Sequence, residues 1–154
     1  MCECNNVLDL DFVKVRDVKS PEKGTPGSAG IDFFVPNDLD EVMLYKDDII
    51  NIPSGIHVKI PKGYALVAQN KSGIAINSYI KYTAGLIDED YQGEIGLCLH
   101  NIGKIPRTIT PGMKILQFIL VPVPNVQLNE KQNLESLYQE TTERGEGGYG
   151  STGI

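Results

Sequence analysis

The sequence lacks the features by which membrane proteins, nucleic-acid-binding proteins and disulfide-stabilised proteins are usually recognised. It has no tryptophan and only three cysteines among 154 residues. No apolar run is long enough to span a bilayer, and the first residues lack the basic start and apolar stretch of a signal peptide. The net charge is −6, with no basic block to bind a nucleic-acid backbone. We therefore expect neither a membrane nor a nucleic acid as a partner.

The few cysteines also bear on the compartment. An odd number cannot all pair within one chain, and Cys98 lies in an apolar, strand-like run. Reduced thiols are typical of the cytoplasm, so we predict a cytoplasmic protein, or one of the host-cell cytoplasm or nucleus if the chain is viral. With 154 residues, 41% of them hydrophobic, the chain is long enough for one core.

Helical patterns are scarce as well, whereas short strand patterns separated by Pro and Gly run from Phe12 to Val123. Strands at this spacing predict an all-β sandwich or barrel. Residues 72–78 and 133–140 look helical, and the fold class that we predict contains one short helix. The predicted strands cover residues 12–15, 31–35, 49–52, 56–60, 64–68, 94–99, 107–109 and 114–121.

The C-terminal tail is rich in glycine, which supplies five of the ten residues 144–153. Glycine at this density predicts a tail that is mobile alone and ordered by a partner. Backbone N–H groups, hydroxyls and the Arg144 guanidinium suit phosphate, and the Tyr149 ring offers a face on which a base can stack. We interpret the tail as a lid for a nucleotide; the alternative is a disordered, solubilising tail.

Four internal segments carry further chemistry. Asp32 places a carboxylate in an apolar strand, where an isolated charge is costly. Lys71, Ser72 and Gly73 stand at a possible helix start, which is a natural anion site. Residues 84–93 set apolar residues directly before three acids and Tyr91. Residues 111–117 add a lysine and an amide.

In this order, the segments resemble the five motifs of the trimeric dUTP pyrophosphatase (dUTPase) family. The matching segments are residues 29–33, 71–75, 85–94, 112–117 and 144–153. The resemblance implies a jelly-roll-like β-sandwich that forms a homotrimer, with the C-terminal tail exchanged between subunits. Residues 1–143 would form the β domain, including a polar arm over about 122–143, and residues 144–154 would form the lid.

The resemblance also assigns the residues of the phosphate site. Asp88 matches the aspartate that orients and deprotonates the attacking water, a role that suits an ionised carboxylate. Ser72 would stabilise the bridging oxygen as it leaves. Mg²⁺ would be held mainly by substrate phosphates and water, with no direct protein ligand and Asp32 in a supporting role. The implied phosphate contacts are Lys71, Ser72, Gly73, Gln117 and, from the tail, Arg144, Gly150, Ser151 and Thr152.

The nucleoside would be recognised by the third motif. The Tyr91 ring would lie under the deoxyribose and exclude a 2′-hydroxyl, and Gly96 would line the base pocket. Tyr149 of the lid would stack over the uracil. The uracil would be read mostly through backbone groups of the hairpin around Tyr82, Gly85, Leu86 and Ile87.

The predicted reaction is hydrolysis of dUTP to dUMP and pyrophosphate, which lowers dUTP and supplies dUMP for dTMP synthesis. The alternatives are a dCTP deaminase or a bifunctional relative, and a nucleotide-gated regulatory protein. The chain departs from the family pattern at Asn70 (usually Pro), at Lys71 and Lys114 (usually Arg), and at Tyr149 (usually Phe). The arm over residues 127–140 also looks longer than is typical.

Overall fold

The structure is a computed structural model that describes residues 7–148. The chain divides into two units between Pro124 and Asn125, and each unit is described by itself. The strands of the first unit are β1 Asp11–Lys14, β2 Glu22–Lys23, β3 Ile31–Phe34, β4 Val42–Leu44, β5 Ile49–Pro53, β6 Ile56–Lys59, β7 Tyr64–Asn70, β8 Ile80–Tyr82, β9 Leu86–Ile87, β10 Gly96–Asn101, β11 Arg107–Ile109 and β12 Lys114–Pro122.

The strands pair only in antiparallel fashion over the described residues. The largest sheet has the order β2-β3-β12-β7-β9. Smaller sheets are formed by β5-β10-β8, by β1-β6 and by β11-β4. The predicted all-β class is confirmed as a mostly β chain. All eight predicted strands are present, whereas β2, β4, β8 and β9 were missed because two or three residues carry no readable alternation.

The core is built from the inward faces of these sheets. Phe33 of β3 and Phe118 of β12 meet edge to face, with ring centroids 4.8 Å apart. Leu66 of β7 and Leu97 of β10 are fully buried beside other aliphatic residues. Burying a large apolar side chain contributes about 1.5–3 kcal/mol, so this cluster holds the strands that carry the site.

One irregularity in β12 decides which side chains share a face. The register of β12 against β3 shifts between Lys114 and Leu116, and both Ile115 and Leu116 are buried. In a regular strand, residues three positions apart face opposite sides of the sheet. One inserted residue between them places both side chains on the same side. Lys114 and Gln117 are thereby both brought close to Asp32 of β3.

Two short helices lie in the described residues, where the predicted fold class contained one. Helix α1 spans Ser72–Ser78, as predicted. Helix α2 spans Leu134–Leu137 in the second unit and begins with a capping box between Asn133 and Ser136, which satisfies its first N–H groups. Neither helix is long and apolar enough to cross a membrane. The rest of residues 125–148 contains no strand and is largely exposed.

Candidate functional site

Asp32 is a buried carboxylate on β3, with only 4% of its surface exposed. Strand pairing places it opposite Gln117 of β12 and Glu22 of β2. Its Oδ1 accepts a hydrogen bond from Lys71 Nζ at 2.5 Å, and its Oδ2 lies 3.1 Å from Lys114 Nζ. A buried charge is costly unless it is paired. Each oxygen of this carboxylate has its own ammonium partner.

Lys114 is held from three sides. Besides Asp32, its ammonium lies 3.6 Å from Glu22 Oε1 and 5.6 Å from the centre of the Phe34 ring. The hydrogen bond and charge of Asp32 raise the pKa of Lys114, and Glu22 adds to the shift. Glu22 also accepts a hydrogen bond from Lys19 at 2.7 Å, which lowers the pKa of its carboxyl. The lysine therefore stays protonated and fixed against the sheet.

Helix α1 starts beside this cluster. Lys71 immediately precedes it in an extended conformation (φ −81°, ψ 123°), and no side chain caps its first turn within the described residues. Ser72 and Gly73 are exposed, and a Cβ built on Gly73 would meet nothing within 4 Å. The first N–H groups of a helix have no partner within it and favour anions. An open, partly positive position thus adjoins the Lys71 ammonium.

Gln117 is positioned by two neighbours. Its Nε2 donates a hydrogen bond to the backbone oxygen of Asn70 at 2.9 Å. A Cβ built on Gly30 would collide with Gln117 Oε1, so only glycine leaves room for this side chain. The side chain of Asn70 accepts a hydrogen bond from the Tyr82 backbone N–H at 3.0 Å. Asn70 therefore links the strand before α1 to the hairpin that follows it.

The segment predicted as a hairpin, residues 80–87, fits tightly against β7, but its two strands pair with other strands, β8 with β10 and β9 with β7. We keep the name hairpin for this segment. Gly85 accepts a hydrogen bond from the Ala68 N–H at 2.7 Å, and a Cβ built on Gly85 would collide with Ala68 Cβ. Leu86 is exposed and Ile87 is half-buried. On β10, a Cβ built on Gly96 would collide with the side chain of Asn51. A Cβ at residue 85 would therefore press against the buried Ala68, whereas the exposed side chain of Asn51 beside Gly96 has room to move.

Asp88 follows β9 and is exposed. Its backbone oxygen accepts a hydrogen bond from the Tyr91 N–H at 3.2 Å, which closes a turn. Tyr91 Oη donates to the Glu94 backbone oxygen at 3.1 Å. The Glu94 side chain is held in turn by the Gly55 N–H at 2.6 Å and by Arg16 Nε at 3.3 Å.

A cavity of about 550 Å³ opens beside the Tyr91 ring. Glu89, Asp90 and Gln92 line it together with Phe12 of β1 and His57 of β6. The ring therefore has one accessible side next to the Asp88 turn. Tyr91 is itself 46% exposed.

Asp88 and Ser72 are far apart within one chain. Strand β9 pairs Ile87 with Leu66, near the start of β7, whereas Lys71 and Ser72 follow its end. This register continues Asp88 toward Ala65, and the six residue steps from Ala65 to Lys71 correspond to about 20 Å of extended strand. The structure brings Asp32, Lys71 and Gln117 together and holds the Tyr82 hairpin beside them. It does not bring Asp88 to them.

The second unit contains the described part of the predicted lid. Arg144 Nε donates a hydrogen bond to the Gly147 backbone oxygen at 2.8 Å, which closes a local turn. The predicted residues Tyr149, Gly150, Ser151 and Thr152 lie outside the described residues.

Sequence reasoning missed two contributions to this site. Glu22 supports Lys114, but its two-residue strand carries no pattern that would single it out. Asn70 stands out in the sequence only as a departure from the usual proline, and its side chain proves to bond the hairpin. A proline lacks that amide, so the departure itself was a usable signal.

Comparisons with known proteins extend the resemblance to the whole chain. The family model described as dUTPase matches residues 16–153. The chain belongs to the dUTPase family. A relative from Wolbachia pipientis, named deoxyuridine 5′-triphosphate nucleotidohydrolase, is 38% identical over 151 residues, which cover 95% of this chain and 96% of the relative. These matches do not favour the deaminase or the regulatory alternative.

Solved structures of phage dUTPases share the fold of this chain. The dUTPase of Staphylococcus bacteriophage 80alpha with dUPNHPP matches with a TM-score of 0.83 at 23% identity and covers 96% of this chain and 100% of its own. A mutant dUTPase of phage phi11 of S. aureus matches with a TM-score of 0.75 at 21% identity and covers 84% of this chain and 100% of its own. That phi11 structure is described as revealing the coordination of a structural Mg(II) ion.

Proposed function

We propose that the protein hydrolyses dUTP to dUMP and pyrophosphate. The observation that carries this proposal is membership of the dUTPase family over residues 16–153, a range that spans all five motif segments. The reaction lowers dUTP and supplies dUMP for dTMP synthesis. We place it in the cytoplasm, or in the host-cell cytoplasm or nucleus if the chain is viral.

Water attack on the α-phosphorus is assigned to Asp88. Its exposed carboxylate lies in a turn fixed by backbone hydrogen bonds, so it can face a bound substrate without a cost of desolvation in the free enzyme. A general base in this position would take the proton of the attacking water as the new P–O bond forms and the bond to pyrophosphate breaks. The aspartate would then release that proton to solvent.

The triphosphate would lie at the start of α1. Negative charge grows on pyrophosphate as it leaves, and the Lys71 ammonium, the Ser72 hydroxyl and the N–H groups of the first helical turn, including that of Gly73, would stabilise it. Gln117 would contact the α-phosphate region. From the lid, Arg144 would grip the γ-phosphate together with Gly150, Ser151 and Thr152.

Uracil would be recognised by the hairpin that carries Gly85 and by Gly96 of β10, whose close packing leaves backbone N–H and C=O groups for the base. The Tyr91 ring, with one accessible side, would support the deoxyribose and exclude a ribose 2′-hydroxyl. Tyr149 would cover the base. The backbone contacts would come mainly from Tyr82, Gly85, Leu86 and Ile87.

Each active site would be assembled from several chains of a homotrimer with exchanged tails. The separation of about 20 Å between Asp88 and Lys71 along β7 supports this arrangement, because one chain cannot place both on one triphosphate. Exposed apolar side chains also support association. Phe12 and Val13 are 45% and 56% exposed in the first unit, and Val126 and Leu128 are 66% and 92% exposed in the second.

Mg²⁺ is the cofactor that we assign to this reaction. Within residues 7–148, no three His, Cys, Asp or Glu side chains converge to hold a metal ion. Mg²⁺ prefers oxygen ligands and keeps several waters, so phosphate oxygens of the substrate and water would supply most of its ligands. When bound, the ion would neutralise triphosphate charge, and Asp32 would support the site by holding Lys71 beside it before the substrate binds.

A substrate panel tests the proposal. Pyrophosphate release from the full-length protein with Mg²⁺ is measured on dUTP, dTTP, dCTP and UTP. We expect release from dUTP and almost none from the others, because the pocket would exclude a C5 methyl group, a 4-amino group and a 2′-hydroxyl. Equal rates on all four nucleotides would refute the proposal, and ammonia release from dCTP would favour a deaminase.

A further inference from the structure

Four charged side chains form a chain of ion pairs at the base of the proposed phosphate site. We call Lys71, Asp32, Lys114 and Glu22 the Asp32 cluster. Their contacts measure 2.5 Å from Lys71 to Asp32, 3.1 Å from Lys114 to Asp32 and 3.6 Å from Lys114 to Glu22. The two lysines bind different oxygens of Asp32, so neither has to move for the other to stay.

The Lys71 ammonium has two competing partners in the proposed function. In the structure it binds Asp32, yet a triphosphate at the start of α1 would need it. If Lys71 were the only cation on Asp32, its transfer to phosphate would leave a 4%-exposed carboxylate unpaired. Leaving a buried charge without its partner is strongly unfavourable, so substrate binding would be opposed.

Lys114 would keep Asp32 paired after Lys71 leaves. It holds the second oxygen of Asp32, and Glu22 and the Phe34 ring keep it there. Glu22 is itself anchored by Lys19 at 2.7 Å. The side chain of Lys71 ends in a compact ammonium on a flexible four-carbon stem, which can change partners by rotation about single bonds.

We propose that Lys114 is a positioning residue that remains on Asp32 as its resident counterion, so that Lys71 can transfer from Asp32 to the substrate triphosphate. This inference rests on the proposed function, because it takes the triphosphate site at α1 as given. It assigns Lys114 and Glu22 a part in substrate binding without any contact to the substrate.

The test compares Lys114→Met with Lys114→Met/Asp32→Asn in the full-length protein. KM and kcat are measured on dUTP, and the dissociation constant of the analogue dUPNHPP is measured by calorimetry. In Lys114→Met, Asp32 should retain Lys71, and both KM and the dissociation constant should rise about tenfold, the equivalent of one charged hydrogen bond. In the double variant, the neutral amide releases Lys71, and both constants should return to within about threefold of wild type.

Controls separate this role from a general loss of structure. Lys104→Met removes an exposed lysine outside the cluster and should leave both constants unchanged. If Lys114→Met unfolds, the double variant, which removes the buried charge together with its partner, still tests the claim. Unchanged constants in Lys114→Met, or a loss that Asp32→Asn does not restore, would overturn the proposal.

The dissociation constant of dUPNHPP, measured by calorimetry, distinguishes failure of the proposed function from failure of the role assigned to Lys114. A wild-type protein that binds dUPNHPP but does not hydrolyse dUTP would refute the proposed function, and the pattern of dissociation constants would still decide the role of Lys114. If the protein fails to bind the analogue at all, both proposals fall.

Discussion

At the scale of single residues, two carboxylates of the candidate site differ in burial and in ion pairing. Asp32 is buried and shares two lysines, whereas Asp88 is exposed and makes no ion pair within the described part of the chain. A buried, doubly paired carboxylate is suited to hold cations in place. An exposed carboxylate in a rigid turn is free to accept a proton. We therefore propose two roles for the same residue type, set by the surroundings of each carboxylate.

Replacing Asp88 by Asn tests the second role. The amide keeps the size of the side chain but cannot accept a proton from water, so kcat on dUTP should fall roughly 100- to 10,000-fold. Binding of dUPNHPP and the thermal unfolding temperature should stay near those of wild type, because the side chain is exposed. Asp90→Asn, two residues along the same turn, is the matched control and should keep most of the activity. Equal losses in both variants would contradict the assignment.

At the scale of elements, the hairpin over residues 80–87 is held against β7 by the close approach of two backbones rather than by side chains. The Ala68 N–H donates to the Gly85 oxygen, and Gly85 lies where a Cβ would collide with Ala68 Cβ. The hairpin is also tied to Asn70 through Tyr82. Any side chain at residue 85 must push β9 away from β7. The shape of the proposed base pocket would thus depend on the contact between Gly85 and Ala68.

Gly85→Ala should destabilise the protein by about 1–3 kcal/mol, as expected for overpacking in a buried contact. Ala68→Gly in the same chain removes the atom that the new methyl group would meet. The double variant should therefore recover part of the lost stability and of the affinity for dUPNHPP. Chemical denaturation and calorimetry on the two single variants and the double variant measure the coupling. Strictly additive losses would show that the collision with Ala68 does not limit the hairpin.

At the scale of the whole molecule, the decisive fact is the distance along β7. Leu66 pairs with the strand before Asp88, and Lys71 follows the other end of β7. We therefore propose that a site that needs both takes them from different copies. Homo-oligomers with closed symmetry supply such shared sites.

Mixing two inactive variants tests the shared site. Asp88→Asn and Ser72→Ala are unfolded together and refolded as an equimolar mixture, and dUTP hydrolysis is compared with that of each variant refolded alone. If a site takes Asp88 from one copy and Ser72 from the next, random assembly restores about a quarter of the sites. No recovery in the mixture would indicate that one chain supplies both residues.

The mostly β fold follows from the order of residues alone, because Pro and Gly divide the chain into short apolar strands that only paired sheets can bury. The sequence also indicates the family, since the motif segments keep their order along the chain. It predicted the longest strands, such as β7 and β12, but not the two-residue strands β2 and β9, whose pairing depends on neighbours distant in sequence.

How the charged side chains contact one another depends on the folded chain. A register shift in β12 places Lys114 and Gln117 on the same face as Asp32, although a regular strand would put them on opposite faces. Nothing local in the sequence marks that shift, because it arises from the fit of β12 against β3. Likewise, the contact of Asn70 with the hairpin and the support of Lys114 by Glu22 join residues distant in sequence. Strand alternation describes neighbours along one chain segment, and these contacts arise between segments.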